Sequence, residues 1–186
     1  MEFSERPHPA RAPRPISVEQ VMADLPLFAP AGRTAPGSLG DVGLSPLQDH
    51  VLECTVRHPA VDARTPGLEV TTRRWPDADW PPLNDQVRRF GAGRDFLRRR
   101  AEGDTDAEPR VHPLGAVWSR SLIDVDGSPY QCDVLHSPYS WAAVAMVEPH
   151  FVVRVTALSP LESPPALERV RHTGEIEPAP SSEAGE

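Results

Sequence analysis

The sequence predicts an α+β fold, with a mainly antiparallel sheet and one principal helix. Three observations lead there. Short runs of alternating apolar and polar residues recur at His50–His58, Leu68–Arg73, Tyr130–Val134 and Phe151–Ala157, the period of half-buried strands. A single longer stretch, about Leu83 to Ala101, repeats its apolar residues at helical spacing. Strands, then a helix, then more strands is the order of segregated α+β chains rather than of βαβ units.

Residues 1–44 read as a disordered arm rich in proline, glycine and alanine. Pro7, Pro9, Pro13 and Pro15 favour extended polyproline-like chain, and Ala29 to Gly43 has linker composition. One island interrupts the arm. Ser17 can cap a short helix over 17–25, Gln20 stands at the capping-box position, and Val18, Val21, Met22 and Leu25 share a face.

A single domain is expected over 45–172. Leu52, Cys54 and Val56 alternate with Glu53, Thr55 and Arg57, and Leu68, Val70 and Thr72 with Glu69, Thr71 and Arg73; the two strands form a long-looped hairpin. Pro76, Pro81 and Pro82 end the second strand. Leu83, Val87, Phe90, Leu97 and Ala101 define the helix face, which Gly91 and Gly93 weaken by up to about 1 kcal/mol each relative to alanine. A strand over Gly115–Val125 leads through Asp126-Gly127, a strong hairpin signal, into the alternating strand at Tyr130–Val134. Trp141 to Val147 is apolar throughout and reads either as a buried strand or as a short helix capped by Ser140. A last strand starts at Phe151, a short helical piece follows at Ala166–Arg171, and residues 173–186 form an acidic disordered tail.

Composition restricts function. The chain has 186 residues, 39% hydrophobic, with 23 prolines. All of its 19 Lys+Arg residues are arginine, which points to a GC-rich coding genome, viral or bacterial, and makes arginine a weak signal of choice. A net charge of -8 argues against general nucleic-acid binding, because phosphate affinity is mainly electrostatic. Two cysteines, Cys54 and Cys132, are too few for a disulfide framework; reduced thiols are the expectation over a single bridge. The first residues carry no apolar signal region, and no run reaches the ~18–20 apolar residues of a membrane span.

No catalytic motif is present: no nucleophile elbow, no phosphate-binding loop, no dinucleotide fingerprint. Cys132 and His136, with Cys54, His112 or His150, lack metal-ligand spacing, and the cysteines lack a hydrolase signature. Asp124 and Asp126 flank a turn and serve it. The expectation is therefore no enzyme, no cofactor and no metal. Two features could form an interaction surface. Arg88, Arg89, Arg94, Arg98, Arg99 and Arg100 make one helix basic, which is either a patch for an acidic partner or a solvated face. Trp75 and Trp80 flank a proline-rich loop and are either a contact hot spot or packing of that loop on the helix. Ser45, Thr65, Ser128, Ser137, Ser159 and Ser163 precede prolines, a weak signal for proline-directed phosphorylation.

Between Leu52 and Val147 the chain resembles the small alphaherpesvirus nuclear proteins of the UL-fifty-five type. The likeness rests on Pro81-Pro82-Leu83, Arg89-Phe90, Asp126-Gly127, Tyr130-Gln131-Cys132, Pro138-Tyr139-Ser140 and Trp141 to Ala145. The resemblance implies a non-enzymatic accessory protein of the infected-cell nucleus, associated with the nuclear matrix and linked to virion assembly. It would act through viral or host protein partners, with no membrane and no nucleic acid. A bacterial cytoplasmic binding domain of immunity type is the alternative, and a cysteine-dependent enzyme the third reading.

Overall fold

The computed structural model describes residues 16–33, 35–44, 50–60, 66–74, 117–148 and 151–178. Strands take 59% of these residues, in one curled ten-stranded sheet, and the single described helix is seven residues long. This corrects the predicted α+β fold class: the described chain is mostly β and its sheet is mixed. The helix expected over Leu83–Ala101 lies outside the described residues.

In chain order the elements are α1 (Val18–Asp24), β1 (Phe28–Pro30), β2 (Gly37–Leu44), β3 (Val51–His58), β4 (Leu68–Arg74), β5 (Val117–Val125), β6 (Ser128–His136), β7 (Trp141–Glu148), β8 (Phe151–Ala157), β9 (Leu167–Arg169), a 3-10 turn (Thr173–Glu175) and β10 (Ile176–Glu177). The sheet order is β1-β9-β5-β6-β7-β8-β4-β3-β2-β10. Neighbours are antiparallel except β5–β9 and β2–β10. We call the end of the sheet at His58, Leu68, His136, Trp141 and Ala157 its head, and the opposite end its foot. Only residues 170–175 separate β9 from β10, yet β9 is second from one end of the sheet order and β10 is the strand at the other end. The sheet therefore curls into a half-barrel whose two ends come close together.

The strongest local signals translate directly. Asp126 (φ 51°) and Gly127 (φ 77°) both adopt positive φ, the two-residue turn that matches strand twist. Gly127 N–H donates to Asp124 Oδ1 at 2.9 Å, so the carboxylate serves the turn. The Pro138-Tyr139-Ser140 phrase closes the next hairpin. Ser137 N–H donates to the Ser140 carbonyl at 2.8 Å, and Ser137 Oγ accepts from the N–H groups of Tyr139 and Ser140. Trp141 to Ala145 forms a strand, resolving the strand-or-helix alternative. All five residues are buried, so both faces of β7 are covered and no alternation survives to be read.

The N-terminal part differs most from expectation. The short helix is present and capped, with Gln20 N–H donating to Ser17 Oγ at 3.2 Å. Pro26 cannot continue it. But residues 16–44 are no arm. Val18, Val21 and Leu25 are core, and the linker-like stretch contains most of β1 and most of β2. The domain boundary expected at residue 45 therefore falls at the end of a sheet strand. Asp24 clamps α1 to the foot of the sheet: its carboxylate accepts from Val51 N–H at 2.8 Å, and its carbonyl from Arg74 at 2.7 Å. At the other terminus, Leu167–Arg169 is a strand rather than helical, and the residues read as the start of the tail form the 3-10 turn and β10.

Two core clusters result. The first gathers inward side chains of β4 to β8, among them Val70, Ile123, Val134, Trp141 and Val155, capped by Phe28 and Leu167. The second joins Val21, Leu25 and Leu27 to Leu39, Val51, Cys54, Val56, Val170 and Ile176.

Candidate functional site

A groove with a volume of about 470 Å³ opens at the head of the sheet. Register builds its floor. Ser38, Arg57, Glu69 and Thr156 stand side by side on β2, β3, β4 and β8, because each is the cross-strand partner of the next. Arg57 bridges Asp41 at 3.0 Å and Glu69 at 3.5 Å, and Thr156 Oγ1 donates to Glu69 Oε2 at 3.4 Å. Pro36, Pro59, Pro66 and Leu158 form an apolar rim, with Leu158 64% exposed.

His58 sits at the inner edge of the groove, 3% exposed, and neither ring nitrogen makes a hydrogen bond of good geometry, although the Phe28 backbone lies close enough to favour the charged ring. Inward parity puts it there: it follows Cys54 and Val56 on the core face of β3. Gly37 makes room for it, since a Cβ at that position would lie 2.6 Å from the imidazole Cε1. Burial foremost, then the positive charge of Arg33, lowers its pKa from 6.5 to about 4, against a smaller upward pull from the Phe28 backbone. The ring is therefore neutral at pH 7, able to donate from one nitrogen and accept at the other. Arg33 holds the neighbouring loop ends by donating to the Pro59 and Pro66 carbonyls.

The other chemistry-bearing residues are spent on structure. Cys54 lies in the second core cluster and Cys132 in the first, both as free thiols. Burial, reinforced by nearby carboxylates, raises their pKa values to about 12 and about 11, so the nucleophilic thiolate is suppressed. Among the described residues no group of three or more His, Cys, Asp or Glu side chains could hold a metal ion. No helix among them is long and apolar enough to cross a membrane.

The residues proposed from sequence as an interaction surface, Arg88, Arg89, Arg94, Arg98, Arg99, Arg100, Trp75 and Trp80, all lie outside the described residues, as do His112 and His150. Sequence reading passed over His58, Gly37 and Arg33. The strand parity of β3 already placed His58 on the apolar face; the glycine and arginine were hidden in a stretch with linker composition. No protein-family model, characterised protein or solved structure matches this chain.

Proposed function

We propose that this is a non-enzymatic accessory protein of the infected-cell nucleus that works by binding viral or host proteins, as its resemblance to the alphaherpesvirus family implies. One observation supports the non-enzymatic part most directly: the thiols are sealed in the two core clusters with raised pKa values, and His58 has no nucleophile or carboxylate bonded to it. The residues behind the resemblance support its structural character. Asp126-Gly127, Tyr130-Gln131-Cys132, Pro138-Tyr139-Ser140 and Trp141–Ala145 make one continuous meander of turns and strands, β5 to β7. They form a framework, and partner contact falls to other surfaces. Within the described residues the head groove is the best such surface, an apolar rim around a polar floor.

The test is a tagged full-length chain expressed in infected cells, with proximity labelling of its neighbours. Retention in the nucleus after detergent extraction, with viral or nuclear-matrix proteins labelled, is expected. Retention matters more than entry, because a 20.4 kDa chain can enter passively. A wholly cytoplasmic, freely extractable protein overturns the reading.

A further inference from the structure

Six Ser-Pro or Thr-Pro dipeptides are spread along the chain, and the fold separates them. Ser45 and Thr65 lie outside the described residues. Ser137 is 4% exposed, and its hydroxyl is held in the turn that closes the β6–β7 hairpin, by Ser140 Oγ at 3.0 Å and by the N–H groups of Tyr139 and Ser140. Ser128 is exposed, but it is the cross-strand partner of Val125 in the Asp126-Gly127 hairpin, and its proline, Pro129, lies within β6. Ser159 and Ser163 stand apart. Both belong to residues 158–166, the irregular segment between β8 and β9, where Ser163 is exposed and Ser159 half-buried.

A protein kinase modifies a hydroxyl only when it is set in line with the γ-phosphate of ATP, so several residues around it must enter the kinase cleft. The ease of that step differs between these serines. The segment is pinned at its two ends and once between them. Ala157 pairs with Leu68 and Trp141, the Ala166 carbonyl accepts from Ala31 N–H at 2.8 Å, and Leu161 packs against the first core cluster. Ser163 falls between Leu161 and Ala166, so it can lift away without opening a strand pair. Presenting Ser137 or Ser128 means unzipping a hairpin of the sheet. Proline adds a second bias, because it turns the residue before it away from helical backbone toward extended chain. Pro164 does this for Ser163, and Pro165 does it for Pro164 in turn.

We propose that residues 158–166 are the site at which a proline-directed protein kinase modifies this chain, with Ser163 the first acceptor and Ser159 the second. Ser163 Oγ attacks the γ-phosphorus of ATP. The bond from that phosphorus to the bridging oxygen breaks, ADP leaves with the electron pair, and the hydroxyl proton passes to the kinase's carboxylate base. Each phosphate adds about -1.5 to -2 charge. Ser159 lines the head groove together with Glu69 and Glu177, so its phosphate makes that surface more acidic and turns away an acidic partner in favour of a basic one. This last consequence rests on the groove as a partner surface; the modification itself does not.

The experiment uses the purified full chain with Ser45→Ala and Thr65→Ala, which leaves Ser128, Ser137, Ser159 and Ser163 to compare. ATP and a kinase of the proline-directed class are added, and mass spectrometry follows each site against a short peptide of the same sequence. Ser163 in the folded chain is expected to keep pace with its peptide, and Ser159 to follow. Ser128 and Ser137 should lag their peptides by roughly 100-fold or more, because they wait for local opening. Ser128 or Ser137 reacting as readily as Ser163, relative to the peptides, overturns the proposal. So does a chain unmodified at Ser163 or modified first at Ser159, and so does a Ser163 peptide that no kinase of the class accepts. Neither partner nor cell enters the assay, so its failure is separate from failure of the nuclear reading.

Discussion

The two core clusters are built differently, and the contrast explains how the half-barrel holds together. The first draws mainly on strands consecutive in the chain, β5 to β8, with β4 added beside them. Its contacts are mostly between sequence neighbours. The second collects pieces from three separate stretches: residues 16–27, residues 39–56 and the pair Val170 and Ile176. Each piece is short and none could bury an apolar face alone. The first cluster fills the inner face of the sheet, and the second joins residues 18–27 and the 170–176 stretch to β2 and β3, at the cost of ordering those segments.

The largest expected effect breaks the first cluster. Trp141 is 2% exposed at the head end of β7, and Trp141→Ala removes more buried side chain than any other single truncation in this cluster. A loss of about 3–5 kcal/mol is expected from lost burial plus the cavity left behind. Urea denaturation with unchanged m-value would measure it. A loss under about 1 kcal/mol would mean that β7 is not a central strand of the sheet.

Next comes the second cluster. Leu25 is 2% exposed at the C-terminal end of α1. Leu25→Ala should cost about 2–4 kcal/mol if the N-terminal segment is integral to the fold. Were residues 16–27 a detachable arm, the same change would fall within about 0.5 kcal/mol, as for a surface position. Denaturation of the two variants side by side therefore measures how far the second cluster shares the cooperativity of the first.

This is also where the sequence was least legible. Strands β3, β4, β6 and β8 were readable because each keeps a period of two, and β5 because it runs into the Asp126-Gly127 turn. β7 lost its period by being buried on both faces. β1, β9 and β10 are two or three residues long, too short for any period, and exist only because tertiary pairing holds them. β2 was hidden by three glycines. Gly37 is there because His58 occupies the space of a side chain, and Gly40 because a Cβ would lie 2.9 Å from the Thr55 carbonyl. Close packing thus produced the very composition that reads as a linker. The groove shared this fate, since its rim comes from loop ends and its key imidazole from a strand terminus.

His58 lies where the two clusters approach the groove, and it ties stability to pH. Its folded pKa of about 4 is below the ordinary 6.5, so the unfolded chain takes up a proton that the folded chain refuses. Its contribution is fully present above pH 6.5, declines as pH falls and is lost through about pH 4. That contribution is at most about 3 kcal/mol, the free energy that separates a pKa of 6.5 from one of about 4. His58→Leu should change stability little at pH 7, because it removes a buried polar ring whose nitrogens make no hydrogen bond of good geometry. It should flatten the decline between pH 6.5 and 4. Thermal melts of both proteins across that window provide the comparison. A wild-type profile no steeper than the variant's would place a bonding partner on the imidazole.

The smallest effect isolates the helix from the cluster it feeds. Ser17 Oγ accepts from Gln20 N–H at the start of α1, at an exposed site that contributes nothing to burial. Ser17→Ala should cost about 1 kcal/mol, the usual value of a lost N-cap, whereas Ser17→Asp should retain the bond and add a favourable charge at the helix N-terminus. Because α1 has only seven residues, it cannot persist in isolation, and its cap matters only while Val18, Val21 and Leu25 are docked. The cap penalty should therefore disappear in the Leu25→Ala background if that change undocks the helix. It should persist at full size if the helix stays seated with a cavity beneath it. A double-mutant cycle on Ser17 and Leu25 separates the two cases, and so tells whether the closing segment enters the fold as one cooperative piece or residue by residue.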